Sequence, residues 1–130
     1  MQAINIAFAT DDGKEFIDRH FGDALFYDVY TLCSKNICFV KRIANSTEEE
    51  EEGHADPKKA KGIAGLLQTE DVSIVVSRIF GPNIKRISKK FLCVIASQGA
   101  ITDIKEYLHF HREDLLSEME KDEKILKITL

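Results

Sequence analysis

Residues 72–83 read VSIVVSRIFGPN, and the fold turns on what that stretch can be. Its first six residues are β-branched and apolar apart from two serines. They show no polar alternation, which is the pattern of a strand covered on both faces. IFGPN (79–83) breaks the strand. Pro82 has no N–H to lose, so it suits the first turn of a helix, here predicted to reach Lys90. A buried strand, a glycine turn and a helix make part of a crossover unit, and such units build parallel sheets.

The pattern repeats downstream. FLCVIA (91–96) reads as the next buried strand, and SQGAITD (97–103) turns the chain. Asp103 with Glu106 offers a capping box for a last helix. Ile104, Leu108, His111, Leu115 and Met119 share one face of it, with Tyr107 beside them, and a break is expected near His111–Arg112. The tail KILKITL (124–130) fits a strand or a loose end.

Upstream, Ala60, Ile63, Ala64 and Leu67 recur at helical spacing behind an Asp56–Pro57 start. Gly62 and Gly65 each cost that helix about 1 kcal/mol but permit close backbone packing. Before it lies NSTEEEEEGH (45–54), whose five glutamates, Glu48–Glu52, repel one another and read as a solvated insertion, not a boundary. ALFYDVYTL (24–32) and ICFVKRIA (37–44) are joined by Ser34, Lys35 and Asn36 and form an antiparallel hairpin. AINIAFA (3–9) reads as a buried strand, followed by a turn-rich loop to about Asp23. The order is β-β-β-α-β-α-β-α. It predicts an α/β fold over residues 1–130 as one domain. A mixed five-stranded sheet with an antiparallel N-terminal hairpin would carry helices on both faces.

Composition argues against several classes. A net charge of −4 and a pI of about 5.6 disfavour a nucleic-acid surface. No apolar run nears the ~20 residues of a membrane span. MQAINIAFAT has no basic region ahead of a long apolar block, so no signal peptide is read. Three cysteines, an odd number, point to free thiols in a cytoplasmic protein.

Ligands of open α/β sheets sit beyond the carboxyl ends of the parallel strands. The loops after the first, fourth and fifth strands would gather there, bringing His20, Gly81 and Gly99 to one edge. In HFG (20–22), His20 offers an imidazole to a metal or an anion, Phe21 walls off water, and Gly22 lets the backbone come close. The same residue types also fit a histidine bonded to a loop carbonyl above a core phenylalanine. Gly81-Pro82-Asn83 feeds a helix start, which suits an anion, or is a plain strand–helix turn. Cys33 and Cys38 flank the hairpin turn and could face each other. A zinc site from them with Cys93 lacks any C-x-x-C spacing, and small buried hydrophobes are the simpler reading. His54 reaches the ligand edge or is solvated. Asp11 and Asp12 invite a hydrolase reading. However, metal-dependent hydrolysis needs several converging carboxylates, and only Asp103 sits on another edge turn. No phosphate-loop motif and no nucleophile–base pair is present, so no enzyme is expected.

INIAFATDDG, HFGDALFYDVY and KGIAGLLQTEDVSIVVSRIFGPN together resemble the dinitrogenase iron–molybdenum cofactor-binding family, over about residues 3–110. The resemblance implies a ribonuclease H-like three-layer α/β/α fold. It also implies a carrier of an anionic iron–sulfur or iron–molybdenum–sulfur cluster, or of a precursor, that exchanges it with donor and acceptor proteins. His20 would be the metal ligand, with Phe21, Gly22, Gly81, Pro82, Asn83 and Gly99 shaping the cofactor-binding cradle. Residues 111–130 form an extension outside the pattern. The alternative is a metal-free adaptor of the same fold, using the acidic run or the last helix as its contact.

Overall fold

Apolar β-branched runs place their side chains on both faces of a sheet, and each face then has to be covered. A computed structural model describes residues 3–45 and 57–130, with side chains from residue 62 in the first helix. The strands are β1 (Ile4–Thr10), β2 (Phe26–Leu32), β3 (Ile37–Ala44), β4 (Val72–Ser77), β5 (Leu92–Ala96) and β6 (Ile125–Ile128). The helices are α1 (Pro57–Thr69), α2 (Ile84–Ile87), α3 (Ile101–Phe110) and α4 (Arg112–Glu118). The expectations for Glu48–Glu52, His54, the Asp56 cap and the burial of Ala60 lie outside the described residues and side chains.

All six strands form one sheet in the order β3-β2-β1-β4-β5-β6. β1 pairs antiparallel with β2, and β2 with β3, while β1–β4, β4–β5 and β5–β6 are parallel. The sheet therefore has six strands, not the expected five. β6 is the KILKITL tail, whose sequence fits a strand or a loose end, and it closes the outer edge of β5. Its register with β5 runs from Cys93 opposite Ile125 to Ala96 opposite Ile128.

Two cores lie on opposite faces. One joins Ala7, Tyr27, Val75 and Cys93 to Ile63 and Leu67 of α1 and Ile87 of α2. The other joins Ile6, Phe8, Ile74 and Val94 to Ile104, Leu108 and Leu115 of α3 and α4. This is the three-layer α/β/α arrangement. No described helix is long and apolar enough to cross a membrane.

Some boundaries differ from the sequence reading. β2 begins at Phe26, because the Leu25 N–H donates to Asp11 and the Ala24 carbonyl accepts from Asn45. The last helix begins at Ile101, earlier than an Asp103 cap implies: Gly99 turns the chain at φ +89°, and Asp103 reaches back to accept from the Ala100 N–H at 2.9 Å. The break falls at His111 as expected. His111 is exposed there, 4.1 Å from the Tyr107 ring, and is not part of the buried stripe.

Candidate functional site

The carboxyl edge is built by the loops after β1, β4 and β5. The loop after β1 is folded by its own side chains. Thr10 Oγ1 donates to the Glu15 carbonyl and accepts from the Gly13 N–H, both at 2.8 Å. Asp12 Oδ1 accepts from the N–H groups of Lys14 (2.8 Å) and Glu15 (3.0 Å). Those backbone bonds, Glu15 first, hold the Asp12 carboxyl below its ordinary value. They favour the charged form. The resulting support for the turn is present above the ordinary carboxylate value of 3.8 and lost as pH falls through the lowered one. An NMR titration of the Lys14 and Glu15 amides is expected to move only below that value.

Asp11 is committed too. Both its oxygens accept from Arg19, at 2.8 and 2.9 Å, and Oδ1 takes the Leu25 N–H. The two aspartates are thus spent on loop structure. Among the described residues, no group of three or more His, Cys, Asp or Glu side chains could hold a metal ion.

His20 follows this scaffold. Its backbone forms an isolated parallel bridge with Ile79, just past the end of β4. Its ring lies against Gly81. A Cβ there would come within 2.7 Å of His20 Nδ1, 2.8 Å of Cγ and 2.9 Å of Cε1, and Gly81 holds φ +76°. Only glycine suits both constraints. The His20 ring is half-buried, and among the described residues no partner accepts from or donates to either of its nitrogens.

Phe21 is 1% exposed and packs beneath the loop, stacked on Phe80 at 5.2 Å and tilted against Tyr27 at 5.1 Å. The Tyr27 hydroxyl donates to the Phe21 carbonyl at 2.7 Å. Burial, with Asp23 and Asp11 adding to it, pushes that phenol far above its usual value. Gly22 is open on one side, since a Cβ there would meet nothing within 4 Å. Its carbonyl and that of Ala24 accept from Asn45 Nδ2 at 2.9 and 2.8 Å. Pro82 and Asn83 continue from Gly81 as a 3₁₀ turn that runs into α2.

Gly99 lies on the same edge but opens α3, in the other helical layer. A Cβ on it would meet Leu130 Cδ1 at 2.9 Å, so the tail covers that glycine. The His20–Gly81 contact is therefore direct, while Gly99 stands apart from it.

The cysteines lie elsewhere. β1 and β2 run antiparallel from Ile4 opposite Leu32 to Thr10 opposite Phe26, which puts the 33–36 turn at the far end of the sheet from His20. Cys33 sits across from Asn36, its N–H donating to that carbonyl at 2.9 Å, and Cys38 sits across from Thr31. All three cysteines are free thiols, and Cys93 is fully buried. Burial pushes the Cys93 thiol up to about 12. A thiol reagent at mildly alkaline pH is expected to modify Cys38 and then Cys33 in the native protein, and Cys93 only after unfolding. Reaction of Cys93 at the rate of Cys38 would contradict its burial.

Sequence reasoning missed the residues that shape this edge from a distance: Arg78, Asn45 and Arg19. Their partners are backbone carbonyls and a loop aspartate that no local pattern announces.

A family model described as dinitrogenase iron–molybdenum cofactor matches residues 2–111. The chain belongs to that family. The dinitrogenase iron–molybdenum cofactor match takes in β1 to β5, α1 to α3 and the whole His20–Gly81 contact, and leaves out α4 and β6. A solved structure of a candidate dinitrogenase from Methanocaldococcus jannaschii is 22% identical. The alignment covers 87% of this chain and 93% of that one, with a TM-score of 0.57, a likeness of fold. No curated protein matches the chain.

Proposed function

We propose that this member of the dinitrogenase iron–molybdenum cofactor family is a small carrier for an anionic iron–sulfur or iron–molybdenum–sulfur cluster, or for a precursor of one. In this reading the cluster is cargo. It is received from a donor protein, held at the His20–Gly81 edge and passed to an acceptor, with no catalytic step.

The observation that carries the reading is the His20 imidazole. It is half-exposed at the ligand edge, braced by Gly81, and has no hydrogen-bond partner among the described residues. A half-exposed ring leaves its nitrogens open to solvent and so to an incoming ligand. The donor set also fits cargo better than a resident ion. One imidazole is too few for a bare metal, which takes three or four protein ligands. It is enough to tether a preassembled cluster whose irons are already coordinated by sulfide, and a single protein bond keeps release possible. The open side of Gly22 leaves room for a bulky ligand, and Gly81 and Asn83, unlike Pro82 between them, have an N–H for an anion.

Anaerobic reconstitution with ferrous iron, sulfide and molybdate, followed by desalting and absorption spectroscopy, tests this. Wild type is expected to retain a visible chromophore, and His20→Ala about a tenth of it or less, a loss of at least ~1.4 kcal/mol in binding. The variant should be within about 1 kcal/mol of wild type in stability, since no hydrogen bond is removed. Equal uptake by the two proteins would defeat the assignment.

One observation favours the adaptor reading. Phe110, at the end of α3, is 84% exposed. A pull-down in which Phe110→Ser loses partners that His20→Ala keeps would support a metal-free adaptor.

A further inference from the structure

The loop that presents His20 has exposed apolar side chains beside it. Leu25 is 56% exposed and Ile79 39%. The Ile79 backbone carries the bridge to His20. The Leu25 N–H donates to Asp11 Oδ1 at 3.0 Å, and the same carboxylate grips Arg19, the neighbour of His20 in the chain. β1 pairs with β2 at Thr10 and Phe26, and with β4 at Phe8 and Val76. Continued past the strand ends, these registers set Leu25 and Ile79 level, two strand spacings or about 10 Å apart. With the open side of Gly22 they make a partly apolar rim at the half-buried imidazole.

The charges at this edge are unpaired. Asp18, two residues before His20, is exposed, as are Lys85 and Arg86 of α2, which follows the Gly81 turn. Among the described residues none of the three has an ion-pair partner. Asp18 belongs to the β1 side of the His20–Ile79 bridge, and Lys85 and Arg86 to the β4 side. A two-fold axis at His20 exchanges the two sides, so acid on one copy faces base on the other. Such a surface is complementary to itself. The site is also short of ligands. Among the described residues no group of three or more metal-binding side chains gathers here, and one imidazole leaves every other iron of a cluster without a protein bond.

We infer that two copies of this chain hold one cluster between them, each supplying its His20 to a different iron. The inference rests on the carrier reading and adds the stoichiometry. The second imidazole, neutral and donating a nitrogen lone pair, displaces a solvent or small-thiol ligand from the cluster, and no electron changes hands. Leu25 and Ile79 of the two copies close over the ligand, and Asp18 pairs with Lys85 and Arg86 across the axis. Without ligand the pair does not hold. A stable interface buries about 1,200 Å² or more, and two apolar side chains and three charges a side fall well short of that. The net charge of −4 on each copy also opposes approach. The bridging ligand supplies what is missing. Each copy keeps the single bond that permits release, so an acceptor takes the cluster by replacing one copy at the same rim.

The test is a mass measurement on the intact chain. Wild type is reconstituted anaerobically with ferrous iron, sulfide and molybdate, desalted, and examined by native mass spectrometry and by size exclusion with light scattering. The chromophore is expected at twice the 14.7 kDa of one chain, with one cluster per two chains, and the unloaded protein at the mass of one. Leu25→Asp and Ile79→Asp should keep the urea midpoint of wild type, since both side chains are exposed, and form at least about tenfold less loaded dimer. A protein with Lys85→Glu and Arg86→Glu, and another with Asp18→Lys, should each lose the loaded dimer alone and regain it when mixed in equal amounts. A loaded wild type that stays a monomer overturns the inference and leaves the carrier reading standing. So does a loaded dimer unchanged in all of these variants, or a dimer equally strong without ligand. If His20→Ala retains as much cluster as wild type, or wild type retains none, the carrier reading itself falls and the inference with it.

Discussion

Gly81→Ala is expected to lower stability by roughly 2–5 kcal/mol and to abolish cluster uptake together. A left-handed backbone costs a non-glycine residue about 1–2 kcal/mol, and forcing a side chain into occupied space adds about 1–3 kcal/mol. Both apply here: Gly81 holds φ +76°, and the new methyl would lie within 3 Å of three atoms of the His20 ring. The ring must leave its place, and the ligand atom leaves with it. Gly22→Ala is the control. It has no positive φ and nothing within 4 Å of its Cβ, so it should be neutral or gain a few tenths of a kcal/mol through a less flexible unfolded chain. Urea denaturation and reconstitution of the two variants side by side decide the matter. A Gly81→Ala protein as stable as wild type would mean that the ring has room to yield.

Phe21→Ala has the larger effect on stability, about 3–5 kcal/mol. The ring is 1% exposed between Phe80 and Tyr27, and its own carbonyl receives the Tyr27 hydroxyl. Removing it leaves a hole under the loop that carries His20. For a chain of this size the melting temperature should fall by roughly 10–20 °C. Phe21→Leu keeps most of the volume and separates packing from binding. It should fold, lose less than half as much stability and keep full uptake. Loss of uptake in a stable Phe21→Leu protein would place the ring at the ligand itself.

What could be read from the sequence follows from what is local. The runs of β1, β4 and β5 are apolar over consecutive residues, and the Ser34–Asn36 turn joins two β-prone segments, so the hairpin and a mixed sheet with parallel crossovers followed, but not the order of the strands across it. The His20–Gly81 edge followed as well, because parallel strands bring their carboxyl ends together whatever the side chains are. β6 could not be decided. Its four residues ILKI show no clean burial pattern, with Ile125 and Leu126 half-buried, Lys127 exposed and Ile128 buried, and they form a strand by pairing with the outer edge of β5. That is a non-local reason. The same holds for Asn45, which secures Gly22 and Ala24 across 23 and 21 residues of chain, and for Arg78, whose acceptors lie 18 and 21 residues on. The Asp103–Glu106 pattern points to a helix start at Asp103, but Asp103 is the residue that reaches back to the start, because the turn at Gly99 and the burial of Ile101 set it earlier.

The late arrival of β6 bears on how the protein is made. During synthesis β1 to β5 can pair as they emerge, but the outer edge of β5 has no partner until Ile125–Ile128 have been added. Ser97 also waits for the Ile128 carbonyl, which it binds through both its N–H and its hydroxyl. Until then a nascent chain carries an open parallel edge, the kind of surface on which neighbouring chains on one polysome join by mistake. A chaperone that covered this edge would be needed only for the time it takes to translate α3, α4 and the last strand.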